Sequence, residues 1–210
     1  MDKLTGPGEF IVPEKMDWEY SVYGNVKEEL PPNMPKPKGR RVHMTTYEDA
    51  NLFHDFTTGR SAMGMLHLLN GTVVDWFSKR QNTVETATYG SEFVAARASV
   101  EQIMDLRYTL RMLGVPIDGP AWMFGDNKSV VDSSVMIHSS LTKRHNALAY
   151  HLVHEAIAAG VVHFIHIPGA ENLADVLTKF LPRVTAMKHL ETLLFSATQV
   201  ATAMAEDASH

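Results

Sequence analysis

Residues 61–78 read SAMGMLHLLNGTVVDWFS, and this stretch decides the fold. Asn70-Gly71 in its middle is a strong hairpin indicator, because both residues tolerate the positive φ angles of a tight turn. The apolar and β-branched runs on either side predict strands over Ser61–Leu69 and Thr72–Ser78. A run rich in Thr and Tyr precedes them over Val42–Asn51. The three runs together predict an antiparallel meander.

After the meander the spacing of apolar residues changes to three and four, which predicts an amphipathic helix of about 23 residues around Phe93 and Val100. Thr88 is its predicted N-cap and Gly114 its predicted stop. Further elements are predicted over these ranges: strand Ala121–Phe124, helix Ser129–Ser133, helix Lys143–Ala159, strand Val161–Ile167, helix Asn172–Leu181 and helix Ala186–Phe195. A meander followed by α-linked strands predicts an α/β fold, a mixed sheet with helices on both faces.

Composition narrows the function classes. The chain has 210 residues and no cysteine, which excludes a disulfide scaffold, a thiolate zinc site and a cysteine nucleophile. No apolar run approaches the roughly 18 residues of a membrane span, so we expect a soluble intracellular protein of the cytoplasm or nucleus without a membrane partner. The net charge of −5 argues at first against nucleic-acid binding.

The charge is unevenly distributed over three predicted segments. A lead-in over residues 1–41 holds six of the ten prolines, which predicts an extended linker, and residues 197–210 are a predicted flexible tail. The predicted domain covers residues 42–196. Residues 36–196 carry sixteen bases and fifteen acids, so the negative charge lies mainly in the flanks. The total therefore does not exclude a nucleic-acid partner.

Four acids are predicted to converge at one edge of the sheet. Asp49 is predicted at the end of the first strand, Asp126 at the end of the fourth, and Glu92 and Asp175 in the first turns of two helices. Such carboxylates repel one another unless a cation lies between them. Mg²⁺ prefers oxygen ligands, and two ions about 4 Å apart are a recurrent device for phosphodiester displacement. Three of the acids also have an ordinary interpretation: Asp126 as a turn residue, Glu92 and Asp175 as acids favoured by the helix dipole.

Seven segments carry a resemblance to a known family, in this order along the chain: Tyr47-Glu48-Asp49-Ala50-Asn51, Thr58-Gly59-Arg60-Ser61, Asp75-Trp76-Phe77-Ser78-Lys79-Arg80-Gln81, Ser91-Glu92-Phe93-Val94-Ala95-Ala96, Gly125-Asp126-Asn127-Lys128-Ser129, Lys143-Arg144-His145 and Asn172-Leu173-Ala174-Asp175-Val176-Leu177-Thr178-Lys179. Over residues 42–181 the chain resembles the ribonuclease H domain of copia-type LTR retrotransposon polyproteins. The resemblance implies a ribonuclease H-like fold with a five-stranded mixed sheet. It implies endoribonuclease cleavage of the RNA strand of RNA–DNA hybrids, dependent on two Mg²⁺ ions or Mn²⁺, and a reverse transcriptase domain as partner.

The resemblance places the family's acidic quartet, its catalytic metal ligands, on Asp49, Glu92, Asp126 and Asp175. The chain departs from the family pattern at Asn51, where a second acid is frequent and which we interpret as a non-ligand, and at Gly90. Relatives outside the copia type often have a histidine in the loop before the last acid. Here His166 is expected on the preceding strand.

Substrate contacts are a further hypothesis, since an A-form-like hybrid is recognised through phosphates and 2′-hydroxyls. The candidate residues are Arg60, Ser61, Lys79, Arg80, Gln81, Asn127, Lys143 and Arg144. Lys79 and Arg80 alternatively belong to an ordinary charged turn, and Trp76 and Phe77 are expected in the core rather than as stacking platforms. The alternative function is a catalytically inactive nucleic-acid-binding or scaffold remnant of a retroelement. A different two-metal nuclease on the same fold is a third interpretation.

Overall fold

The computed structural model describes residues 23–135 and 147–194. Five strands run over these ranges: β1 Met44–Asp55, β2 Arg60–Leu69, β3 Thr72–Arg80, β4 Ala121–Gly125 and β5 Val162–His166. Five α-helices accompany them: α1 Thr88–Met112, α2 Lys128–Val135, α3 Ala147–Ala158, α4 Asp175–Thr178 and α5 Arg183–Leu193. A single 3₁₀ turn over Gly169–Glu171 leads into α4.

The strands form one mixed sheet in the order β3-β2-β1-β4-β5. β1 pairs with β2 and β2 with β3 in antiparallel register, whereas β1–β4 and β4–β5 are parallel. The predicted hairpin is confirmed: Asn70 and Gly71 have φ angles of +49° and +79° and join β2 to β3. The five-stranded mixed sheet agrees with the fold that the sequence motifs imply.

Helices cover both faces of the sheet, as predicted. On one face α1, α2 and α3 enclose the main core, to which Phe93, Val130 and Val153 contribute together with Met123 of β4. On the other face a smaller cluster joins Leu66 and Leu68 of β2 to Leu173, Leu177 and Leu193. Burial of apolar area on both faces is the main stabilising contribution. No helix in the described part of the chain is long and apolar enough to cross a bilayer.

Some local predictions are wrong. Strand β1 continues past Asn51 to Asp55, because the pairing resumes at Asp55 with Arg60 after an irregularity in which Phe53 has a φ of +53°. Asp49 therefore lies inside the strand and not at its end. Helix α1 has Ala87 as its N-cap, not Thr88, and no side chain caps it. Glu92 consequently follows the first turn.

The prediction of a helix over Asn172–Leu181 is also wrong, because only the single turn α4 is helical in this range. The Asn172 amide donates to the Glu48 carbonyl at 2.8 Å and its Oδ1 accepts from the Ala174 backbone N–H at 3.1 Å, so the side chain holds non-helical backbone in place. Trp76 is 65% exposed on the edge strand β3, which contradicts its predicted core position. Phe77 is half-buried.

The described part of the lead-in, from residue 23 onward, packs against the end of α1. Glu28 forms ion pairs with Arg107 at 2.7 Å and Arg111 at 2.6 Å. The backbone N–H groups of Lys38 and Val42 donate to the carbonyls of Gly114 and Pro116, each at 2.9 Å. Residues 1–22, 136–146 and 195–210 lie outside the described residues, and with them the predicted flexible tail and the substrate candidates Lys143 and Arg144.

Candidate active site

The parallel pairing of β1 and β4 brings two acids together. Tyr47 of β1 pairs with Phe124 of β4, and Asp49 and Asp126 each lie two residues further along their chains. Equal offsets in parallel strands place two residues at the same level of a sheet. Asp126 directly follows β4, and α1 supplies Glu92 from the main-core face.

Asp49, Glu92 and Asp126 each contribute a carboxylate oxygen to one cluster, in which the three oxygens lie within 4.8 Å of one another. Asp49 is fully buried, Glu92 is 4% exposed and Asp126 is partly buried. Three of the four predicted acids are therefore close enough to share a metal ion. The fourth, Asp175, starts α4 and is connected to Asp49 and Asp126 through a lysine.

That lysine is Lys179, which was not among the residues predicted for the site. Its Nζ lies 2.7 Å from Asp175 Oδ1, 3.0 Å from Asp49 Oδ1 and 3.8 Å from Asp126 Oδ2. The preceding Thr178 donates a short hydrogen bond from its hydroxyl to the other Asp49 oxygen. The spacing of four between Asp175 and Lys179 is the only pattern in the sequence that indicates this contact.

Burial and mutual repulsion control protonation in the cluster. Burial, and after it the charges of Asp49 and Asp126, raises the pKa of Glu92 to about 9. Burial also raises the pKa values of Asp126 and Asp175, with repulsion from Asp49 adding to the effect. Burial disfavours the charged form of Lys179, but Asp49 and Asp175 outweigh it and raise the lysine pKa. The cluster is thus deficient in positive charge.

A fifth carboxyl group, Glu48, also escaped the sequence analysis. Its side chain is 2% exposed, and its Oε2 has no hydrogen-bond partner among the described residues. Burial raises its pKa well above the usual range, with contributions from Glu92, Asp49 and Asp126. A buried oxygen without a partner is costly, which is a further indication that a cation belongs near this cluster.

The donor set fits a hard divalent metal ion. It consists of carboxylate oxygens, and the chain has no cysteine to supply a thiolate. Mg²⁺, Mn²⁺ and Ca²⁺ prefer such oxygen donors, whereas zinc and copper favour nitrogen and sulfur. Asp49, Glu92 and Asp126 could together hold one such ion.

The predicted substrate residues fall into two groups. Arg60, Lys79 and Arg80 lie where β2 begins and β3 ends, at the end of the sheet towards which β1 runs past Asp49, and all three are exposed. Arg80 is already paired with Asp55 at 2.6 Å. Ser61 and Gln81 are fully buried, so the structure does not bring them to the surface, where a duplex would bind.

Two further residues adjoin Asp126. Asn127 accepts a hydrogen bond at its Oδ1 from the Val130 backbone N–H at 3.3 Å and so caps the start of α2. His166 lies on β5, as predicted, where it is the last residue, and its Nε2 lies 3.1 Å from the Asp126 carbonyl oxygen.

The sheet order β3-β2-β1-β4-β5, with helices on both faces, is that of a ribonuclease H-like fold. In sequence the chain is similar to retrovirus-related Pol polyproteins of plant transposons, which confirms the resemblance drawn from the motifs. The polyprotein from transposon TNT 1-94 of Nicotiana tabacum is 28% identical over 137 residues, 65% of this chain. That from transposon RE2 of Arabidopsis thaliana is 26% identical over 149 residues, 70% of this chain. The chain spans about a tenth of the length of these relatives, and no protein-family model matches it.

Solved structures with detectable similarity include ribonuclease H domains. The N-terminal RNase H domain of a Mycobacterium tuberculosis protein, fused to maltose binding protein, gives a TM-score of 0.49 at 15% identity and covers 70% of this chain and 98% of that chain. LC11-RNase H1 in complex with RNA/DNA hybrid gives a TM-score of 0.47 at 17% identity, with coverages of 66% and 94%. The foamy viral protease-reverse transcriptase in complex with RNA/DNA hybrid gives 0.43 at 16% identity, with coverages of 75% and 22%.

Proposed function

We propose that this domain is an endoribonuclease that hydrolyses the RNA strand of RNA–DNA hybrids. The observation that carries the proposal is the cluster of Asp49, Glu92 and Asp126, whose oxygens lie within 4.8 Å of one another at the junction of two central parallel strands. The similarity to retrovirus-related Pol polyproteins supports it, because reverse transcription produces such hybrids.

Asp49, Glu92, Asp126 and Asp175 would hold divalent ions, with Mg²⁺ as the first candidate and Mn²⁺ as the second. When bound, two such ions would supply an activated water and stabilise the leaving oxygen in an in-line phosphodiester displacement. The chain's own contribution is to fix the Asp49 carboxylate: the Thr178 hydroxyl donates to one of its oxygens, and Asp49 itself is fully buried. Buried ligands keep their orientation through turnover.

Arg60, Lys79 and Asn127 are the proposed contacts to the hybrid backbone, and Lys143 and Arg144 remain candidates from sequence alone. Arg60 and Lys79 are exposed, and neither forms an ion pair with another residue in the described part of the chain. Arg80 is a weaker candidate, because Asp55 neutralises it. Ser61 and Gln81 would support the site from below the surface, since Gln81 Nε2 donates to the Ser91 carbonyl at 2.7 Å beside Glu92.

The chain covers about a tenth of its polyprotein relatives, so we also propose that the domain acts inside the cell beside a reverse transcriptase of the parent polyprotein. A tethered polymerase would raise the local concentration of hybrid through the effect of linkage.

The test uses a labelled RNA–DNA hybrid, with double-stranded DNA and single-stranded RNA as comparison substrates, at 5 to 10 mM Mg²⁺ (roughly the saturating range expected for such ions). We expect cleavage of the RNA strand in the hybrid only, and loss of at least about a hundredfold in rate for Asp126→Asn, since each metal ligand supports several kcal/mol of charge stabilisation. Asp105→Asn, an exposed acid on α1, is the matched control and keeps the wild-type rate. Hybrid binding without metal-dependent cleavage would instead identify the domain as a non-catalytic binding module.

A further inference from the structure

In the described part of the chain, Lys179 supplies the only ammonium group that lies within 4 Å of the carboxylate cluster. Its Nζ is bound to Asp49 Oδ1 at 3.0 Å and to Asp175 Oδ1 at 2.7 Å, and it lies 3.8 Å from Asp126 Oδ2. The lysine side chain is 33% exposed, whereas that of Asp49 is fully buried. A single cation thus contacts an acid from β1, an acid after β4 and an acid from α4.

We propose that Lys179 is a positioning residue that serves as an internal counter-ion: it holds Asp49, Asp126 and Asp175 together while the site contains no divalent ion, and it competes with an incoming ion for the same oxygens. This inference rests on the proposed function for the identity of the incoming ion only. We call the contacts of Lys179 with Asp49, Asp126 and Asp175 the lysine clamp, and this clamp is a property of the metal-free protein.

The charge balance of the site supports this role. Among the described residues, one ammonium group lies within 4 Å of three carboxyl groups, those of Asp49, Asp126 and Asp175. Like charges at such distances destabilise the folded state unless they are compensated, and compensation inside a protein is much stronger than at its surface. Removal of the ammonium group would leave Asp49 buried, with the Thr178 hydroxyl as the side-chain partner that remains among the described residues.

The backbone around Lys179 indicates that its ion pairs hold α4 in place. Helix α4 consists of one turn, Asp175–Thr178, and Lys179 follows it with extended backbone. Thr178 and Lys179 bind different oxygens of the same carboxylate on β1. The Lys179 ion pairs therefore fasten this short turn to the centre of the sheet.

Competition follows from the same geometry. The ammonium group binds Asp49 Oδ1 and Asp175 Oδ1, so an ion that uses either of these oxygens must displace the lysine from it. Replacement of the lysine by an uncharged side chain removes the competitor and also makes the site more negative by one charge. Both effects favour a divalent cation.

The experiment compares Lys179→Met with Lys188→Met, which removes an exposed lysine of α5 and changes the net charge equally. In EDTA we expect the melting temperature of Lys179→Met to fall by at least about 5 °C, on the scale of 2–4 °C per kcal/mol for a chain of this size, and that of Lys188→Met to stay within about 1 °C. Titration calorimetry with Mg²⁺ should show an affinity at least fivefold tighter for Lys179→Met than for the wild type. Lys179→Arg, which keeps the charge, should restore most of the metal-free stability.

A second variant separates the charge from the packing of the lysine stem. Adding Asp175→Asn to Lys179→Met should recover at least half of the lost melting temperature, because one of the repelling acids is then neutral, whereas adding Asp105→Asn should recover none. No loss of metal-free stability relative to Lys188→Met, or weaker Mg²⁺ binding in Lys179→Met, would overturn the proposal. If both Lys179→Met and its Asp175→Asn derivative fail to fold, the lysine has a packing role and the proposal is wrong.

The two proposals can fail separately. The wild-type chain binding no Mg²⁺ and cleaving no hybrid would refute the proposed function, but the EDTA measurements would still decide whether Lys179 clamps the acids. A wild-type chain that cleaves hybrid, together with an unaltered melting temperature for Lys179→Met in EDTA, would refute the clamp alone.

Discussion

Gly125 leaves the space that the Glu48 carboxyl group occupies: a Cβ atom on Gly125 would lie 2.5 Å from Glu48 Oε1 and 3.0 Å from Phe164 Cε2. Both residues adjoin proposed metal ligands, since Glu48 precedes Asp49 and Gly125 precedes Asp126. The absence of a side chain at the end of β4 therefore sets how closely a buried acid can approach the site.

Gly125→Ala should destabilise the protein by about 1–3 kcal/mol, the usual cost of overpacking, because Phe164 and the buried Glu48 must both move. The variant should be rescued in part by Glu48→Ala, which removes the nearest atom. Urea unfolding in EDTA gives the double-mutant cycle. Additive effects of the two substitutions would show that the glutamate does not occupy this space.

A second prediction concerns the lead-in. Glu28 pairs with Arg107, whose side chain is 3% exposed, and with Arg111. Removing one partner of a buried pair leaves an uncompensated charge and typically costs 3–5 kcal/mol. Glu28→Ala should therefore lower the free energy of unfolding by about 3 kcal/mol in urea unfolding. Glu29→Ala, at the adjacent exposed position, is the control and should stay within about 0.5 kcal/mol.

Much of the fold was predictable because its determinants are local. The Asn70-Gly71 turn and the change of apolar spacing at Phe93 are readable over a few residues, and they place β2, β3 and α1. Asp49 and Asp126 follow from the positions of β1 and β4, although β1 proved longer than expected. Bringing these two acids side by side also requires β1 and β4 to be neighbours in the sheet, and the structure pairs them in parallel.

What could not be predicted depends on contacts between distant segments. Glu28 and Arg107 are 79 positions apart, and no periodicity links them. The Asn172 amide binds backbone 124 positions away, and this bond overrides the helical pattern of the following residues. Trp76 is a large aromatic residue of the kind usually found in a core, but the edge position of β3 leaves it exposed.

The third prediction is a pH dependence caused by His154. Burial lowers its pKa to about 4, and its Nε2 lies 2.9 Å from the Ser133 carbonyl oxygen. The unfolded chain, in which histidine has a pKa near 6.5, binds the proton more readily than the folded protein. The contribution of the neutral His154 to the free energy of unfolding is therefore fully present above about pH 6.5 and is lost as the pH falls towards 4. Between pH 7 and pH 5, His154→Gln should lose about 1–2 kcal/mol less than the wild type in urea unfolding. Equal losses would mean that the buried imidazole is not the group responsible.

The last prediction tests the proposed hybrid interface through its salt dependence. Lys79 is exposed on the edge strand near the end of the sheet that Arg60 and Arg80 share. Each phosphate contact releases condensed counterions, so removing one lysine contact should weaken hybrid binding and reduce the slope of log K against log salt by about 1. We expect this of Lys79→Ala in binding titrations carried out in Ca²⁺ instead of Mg²⁺ to suppress cleavage. Lys188→Ala, on α5, should leave the slope unchanged, and Arg80→Ala should reduce it less than Lys79→Ala, because Asp55 already neutralises Arg80 at 2.6 Å. An equal reduction for Lys79→Ala and Lys188→Ala would show that the duplex responds to total charge rather than to this surface.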